Sequence, residues 1–288
     1  MGTKPYIDFL DGAFYGGDPH PAYRWMREND PLYYDTRSEL WGVSRHDDIM
    51  RVSKDAKSFC SAKGFRPDAP PMPMMINMDR PQHLVRRNLV SRGFTPRRVA
   101  NMEPRVRDIC RGILDRICER GTCDFVKDVA MPLPMIVIGD LLGVREEDHD
   151  KLLRWSDAMV GATGHPDPDM MLQAAQAMQE YTEYNRSVVA DRRSKPLRED
   201  LMSILVHSEI EGERLDDESI LYESLLILVG GDETTRHVIS GGVHQLLLHP
   251  KQWECLAQDP TKISVGVEEM LRWVTPIQNM MRTTTCEV

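Results

Sequence analysis

One stretch of the sequence, Asp216 to Leu248, reads as a single long helix that breaks the rules of helix composition at its own centre. Asp216 and Asp217 open it, where the helix dipole favours negative charge. Its middle reads SLLILVGGDETTRHVISGG. Adjacent glycines inside a helix cost about 1 kcal/mol each relative to alanine, and two threonines add further unfavourable propensity. A rule broken in mid-element marks a place to expect function. Gly230 and Gly231 remove side chains where the apolar run ends, so a flat or bulky ligand can approach the backbone. Glu233 and Thr234 set a carboxylate and a hydroxyl one turn further on. The same residues also fit a plain helix crossing, in which the glycines permit close packing and the polar groups face solvent.

The rest of the chain is patterned to match. Met102 to Arg120 repeats apolar residues at Val106, Ile109, Cys110, Ile113, Leu114 and Ile117, the spacing of an amphipathic helix. Further helices are expected over Phe125 to Leu142, Glu146 to Val160, Met170 to Arg193 and Asp200 to Ser208, with a break at Gly164 to Asp169. The turn EIEGER follows, where Gly212 can take positive φ. Near the start, Pro31 to Thr36 and Glu39 to Ser44 read as a short hairpin, which should pair with strands from elsewhere because an isolated one is marginal in water. From Ala62 to Pro81 the density of proline forbids a regular helix and marks a long loop, of a length that is usually either functional or disordered. With roughly ten helical segments and little sheet, the class is mainly α.

Composition narrows the function. The chain has 288 residues, 36 Lys plus Arg against 45 Asp plus Glu, a net charge of −9, and 41% hydrophobic residues. That is neither a disordered nor a collagen-like composition, and the acidic balance argues against nucleic acid as a partner. The N-terminus has no apolar signal core, and the longest apolar stretches, Met131 to Val144 and Ser224 to Gly231, are too short or too interrupted to span a bilayer. A cytoplasmic location is expected. The six cysteines form no Cys-x-x-Cys pair, which suggests neither a zinc site nor a disulfide framework. Of 18 methionines, Met72, Met74, Met75 and Met78 crowd the proline-rich loop, where flexible thioethers suit an adaptable apolar pocket or a core gap.

Gly230-Gly231-Asp232-Glu233-Thr234-Thr235 resembles the Ala/Gly-Gly-x-Asp/Glu-Thr-Thr/Ser motif of the cytochrome P-450 family, the haem-thiolate monooxygenases. Asp79 to Arg87 resembles its Pro-x-His-x-x-x-Arg helix start, followed by Gly93-Phe94-Thr95-Pro96. Glu269-Met270-Leu271-Arg272 is similar to its Glu-x-x-Arg helix, and Arg282 falls where the family keeps a haem-propionate arginine. The resemblance implies a cytochrome P-450 fold, mainly α with a small N-terminal β-sheet, and haem b as cofactor. His83, Arg87 and Arg282 would bind the propionates, since charge-assisted bonds suit carboxylates near an apolar pocket. Gly230 and Gly231 would lie against the porphyrin. Thr234 would steady bound dioxygen and Glu233 would relay protons to it, while Glu269 and Arg272 would form a structural ion pair.

PMMINM, FTPRRV, LPMIVIGDLLGV, LLILVGGDETTRH and VEEMLRW also resemble actinobacterial steroid side-chain hydroxylases. Those hydroxylate the terminal methyl carbon of cholesterol or cholest-4-en-3-one with O2 and electrons from a ferredoxin and its reductase. Met74, Met75 and Ile76 would then line the substrate tunnel. The basic run Arg86, Arg87, Arg92, Arg97, Arg98, Arg105 and Arg107 would steer an acidic ferredoxin or form a solvated helical face. One family element is absent: no Phe-x-x-Gly-x-x-x-Cys-x-Gly ligand loop occurs, and Cys286 lacks its glycine spacing. Residues 1–288 are therefore expected to form one incomplete domain, without a metal ligand and inactive alone. The alternative is a non-catalytic helical module that keeps a sterol or haem groove.

Overall fold

The structure, a computed structural model, describes residues 5–67, 69–163, 167–210 and 212–288. These fall into two units. The smaller takes the described residues of Met1–Leu84, Thr163–Pro166 and Gln278–Val288; the larger takes those of Val85–Ala162 and Asp167–Ile277.

In the smaller unit, α1 (Gly12–Gly16) starts at Asp11, whose carboxylate accepts from the Ala13 amide, and α2 (His20–Asn29) starts at a proline. β1 (Leu32–Asp35) and β2 (Leu40–Val43) form the expected hairpin, with Leu32 opposite Val43 and Asp35 opposite Leu40. The expectation that it joins strands from elsewhere is corrected: among the described residues it is a two-stranded sheet. Packing replaces the missing strands. Tyr33 is buried with Ile7 and Met26, its hydroxyl accepts from the Ile7 amide and donates to the Pro5 carbonyl, both at 3.1 Å, and buried Asp35 accepts from the Phe9 amide.

α3 (His46–Lys54) carries Asp47 and Asp48 in its first turn, a favourable place for anions. β3 (Phe59–Cys60) pairs antiparallel with Thr283–Thr284. In the proline-rich loop Met75–Asn77 forms a 3-10 turn. Buried Asn77 pins it, accepting from the Phe65 amide at 3.1 Å and donating to the Met72 carbonyl at 3.0 Å.

The larger unit is helical, as expected. α4 (Gln82–Ser91), which begins in the smaller unit and enters the larger at Val85, leads to α5 (Pro96–Cys118), capped by Thr95 and carrying Pro104 inside it, so this helix starts earlier than the apolar periodicity shows. The helix expected over Phe125 to Leu142 is divided into a π-helical turn, Val126–Ala130, and α6 (Pro132–Leu142), because Pro132 has no amide to continue the ladder. α7 (His149–Gly161) and α8 (Pro168–Arg193) follow, and the break between them falls partly outside the described residues. α9 (Leu201–His207) leads to β4 (Glu209–Ile210) and β5 (Glu213–Arg214), joined through Gly212 at φ 88°.

α10 (Asp217–Leu248) is continuous for 32 residues, with the Asp216 side chain capping the Ser219 amide. Ile220, Leu225 and Leu228 are buried along its N-terminal half. A polar seam joins it to α8: the Ser224 hydroxyl is 2.8 Å from the Tyr181 hydroxyl and accepts from the Asn185 amide at 2.8 Å. Short α11 (Pro250–Gln258) and α12 (Ile263–Val274) follow, and neither carries a buried residue. Gly241 and Gly242 let α12 approach closely: a Cβ would lie 2.9 Å from Val274 at the first and 2.7 Å from Met270 at the second.

Candidate active site

The two central glycines of α10 differ. A Cβ on Gly231 would lie 2.3 Å from the Ile138 Cδ1 atom of α6, so this glycine permits a helix crossing. A Cβ on Gly230 would meet nothing within 4 Å, and Gly230 is exposed, so that stretch of backbone is open to a ligand. Both readings of the Gly-Gly pair hold, one for each residue.

One turn on, the Thr234 hydroxyl donates to the Gly230 carbonyl at 2.6 Å. This bond to the preceding turn loosens the helix at the glycine and leaves the hydroxyl oxygen free to accept. The Glu233 carboxyl turns the other way, to Arg236. The Arg236 Nη2 atom also donates to Asp232 at 3.0 Å and, across to α7, to Asp157 at 2.8 Å. Carboxylate oxygens of Asp157, Asp232 and Glu233 lie within 4.8 Å of one another. A metal ion could bridge such a spacing, but the guanidinium already supplies the positive charge there.

Burial raises the proton affinity of two members of this cluster, Asp232 and Glu233. The Asp232 side chain is fully buried and that of Glu233 is 13% exposed. Burial pushes Asp232 up to about 6, against the attraction of Arg236 and helped by the charge of Asp157. Glu233 is pushed up to about 7, chiefly by burial, with Arg236 opposing and Asp157 and Asp232 adding to the rise. His237, the next residue, is pushed down by burial and by Arg236. Asp157, Asp232 and Arg236 were not among the residues singled out from the sequence. The i, i+4 spacing of Asp232 and Arg236 was the available signal; Asp157 had none, being one charged position among several on α7.

The other candidates are placed as follows. His83 and Arg87 lie four residues apart on one face of α4, the first half-buried and the second exposed. Half-buried Arg282 donates to the Met281 carbonyl at 2.8 Å. None of the three forms an ion pair among the described residues. Met74 and Met75 are buried and Ile76 is half-buried. Glu269 and Arg272 form a two-pronged ion pair at 2.6 and 2.7 Å on the exposed side of α12. Part of the basic run is engaged: Arg105 with Asp140, Arg107 with Glu103, Arg86 with the Ser219 hydroxyl and Arg98 with the Glu199 carbonyl. Cys286 is exposed, just beyond the strand Thr283–Thr284.

The open backbone at Gly230 fits the approach of a flat ring such as a haem, and among the described residues His83, Arg87 and Arg282 each lack a carboxylate partner. No protein-family model matches the chain. It is 46% identical to the steroid C26-monooxygenase of Mycolicibacterium smegmatis, over 100% of this chain and 72% of that protein. Its fold is similar to that of cytochrome P450 CYP109Q5 of Chondromyces apiculatus, with a TM-score of 0.84 and 32% identity over 98% of this chain and 72% of that one. CYP109E1 of Bacillus megaterium, solved in complex with testosterone, also has a TM-score of 0.84, at 29% identity over 94% of this chain and 71% of that one. The chain belongs to the cytochrome P450 family of monooxygenases. Among the described residues no helix is long and apolar enough to cross a membrane.

Proposed function

We propose that residues 1–288 carry the oxygen- and substrate-facing part of a steroid side-chain monooxygenase. It would act in the cytoplasm on the terminal methyl carbon of cholesterol or cholest-4-en-3-one. The observation that supports this most is the 46% identity, sustained over the whole chain, to a steroid C26-monooxygenase. The reaction inserts one oxygen atom of O2 into a C–H bond and reduces the other to water, consuming two electrons and two protons. A ferredoxin and its reductase would supply the electrons.

Haem b, when bound, supplies the oxidising centre. His83, Arg87 and Arg282 would hold its propionates through charge-assisted bonds. Gly230 keeps the backbone clear on the reacting face, and Met74, Met75 and Ile76 give the substrate an adaptable apolar lining. Thr234 needs only to release the Gly230 carbonyl to donate its hydroxyl proton toward dioxygen, while its oxygen accepts a replacement. Glu233 holds a proton close to neutral pH, the condition for an efficient donor. Glu269 and Arg272 brace α12 and take no part in the chemistry.

The thiolate ligand loop is not in this sequence. Purified with haemin and reduced under carbon monoxide, the 288-residue chain should lack the thiolate-type Soret band; its appearance would overturn the reading of residues 1–288 as an incomplete centre. Joined to the ligand-loop portion of the M. smegmatis relative, the chain should convert cholest-4-en-3-one to its terminal alcohol. A chimera with the thiolate band and no such product would overturn the steroid reading.

A further inference from the structure

The proposed reaction uses Glu233, yet Glu233 is not bonded to the Thr234 hydroxyl. It belongs to a group of three carboxylates around one guanidinium, and two of those carboxylates have no assigned role. We propose that Arg236 and Asp157 are positioning residues for Glu233: the guanidinium, shared with Asp157 of α7 and Asp232 one turn back on α10, holds the Glu233 carboxyl toward α7, and the surplus negative charge keeps in the cluster a proton that Glu233 carries.

The charge balance requires it. Three carboxylates facing one guanidinium would leave two negative charges uncompensated if all ionised, with their oxygens within 4.8 Å of one another. Like charges so close, and largely out of water, disfavour full ionisation. Asp232 is fully buried and Glu233 nearly so, whereas the Asp157 side chain is 40% exposed. Asp157 is thus the most solvent-exposed member of the cluster. The same Nη2 atom of Arg236 contacts all three acids, so loss of one contact redistributes the other two.

The surroundings single out Asp157. Asp140 of α6 faces Arg105, Arg192 of α8 is held by Asp191 and Asp200, and Glu269 of α12 faces Arg272. On α10 itself, the His237 imidazole is pushed down by burial and by Arg236. The charge that a neighbouring element brings against Glu233 is that of Asp157.

The proposal rests on the proton-carrying role given to Glu233 above. It is tested by infrared titration of the 288-residue chain, which reads ionisation and not turnover. Failure here would leave the monooxygenase reading standing, and failure of the chimera would leave the cluster standing. The parent should show a protonated-carboxyl stretch that disappears with a midpoint near 7 and is absent from Glu233→Gln. Asp157→Asn keeps the side-chain shape and removes one facing charge, so the midpoint should fall by about one unit. Asp157→Glu should restore it. Should Glu233→Gln not fold, isotope labelling of glutamate carboxyls in the parent identifies the band instead. A parent with no glutamate titrating near neutrality, or an Asp157→Asn midpoint equal to the parent's in a variant with unchanged circular dichroism, would overturn the proposal.

Discussion

Gly230 and Gly231 are neighbours with opposite surroundings, and substitution should separate them. Gly230→Ala places a methyl in open space and gains helix propensity, so stability should rise by about 0.5–1 kcal/mol. Gly231→Ala drives a methyl into Ile138, and overpacking of about 1–3 kcal/mol outweighs the same gain. Urea unfolding of the two variants checks the opposite signs. Thr234→Ala keeps the fold and removes the hydroxyl. In a haem-loaded protein carrying this sequence with a ligand loop, it should lower product formed per electron consumed more than it weakens steroid binding. Equal yields would count against Thr234 as a proton donor. The motif showed these residues in the sequence because its spacing is local. It could not show which glycine faced a neighbour, since Ile138 is remote in sequence.

At the level of elements, α10 was legible because its length, acidic start and apolar first half are properties of one segment. Its partners were not. The Ser224, Tyr181 and Asn185 seam joins α10 to α8 across residues that look unremarkable in either helix alone. Ser224→Ala leaves the buried Tyr181 hydroxyl and Asn185 amide short of a partner, at about 1–3 kcal/mol for each unsatisfied group. Chemical denaturation should show that loss, and Asn185→Ala on the Ser224→Ala background should cost much less than Asn185→Ala alone. Asp157 was hidden for the same reason: only the approach of α7 to α10 gives it a neighbour. The hairpin was legible in turn and alternation, but its support by Tyr33, Ile7 and Met26 depends on a tertiary contact.

For the whole molecule, the raised acids set a pH dependence. Glu233 and Asp232 ionise at about 7 and about 6 in the folded chain, above their ordinary values of 4.5 and 3.8. Between those limits the folded state binds more protons than the unfolded one, so their contribution is complete at acid pH and is lost as pH rises through 6 to 7. Asp148, held down by Lys151 and Arg145, acts in the opposite sense and only at lower pH. Stability of Glu233→Gln should therefore fall less than the parent's between about pH 5 and about pH 8 in urea titrations. One further consequence concerns α12, which buries no residue of its own and meets α10 where Gly241 and Gly242 expose bare backbone. Val265 and Trp273 face outward from it. A helix attached through so little burial is expected to open before the core does. Amides of Ile263–Val274 should exchange with deuterium well before those of α10 between Leu225 and Val238, and equal protection in the two segments would show that α12 is clasped as firmly as the core.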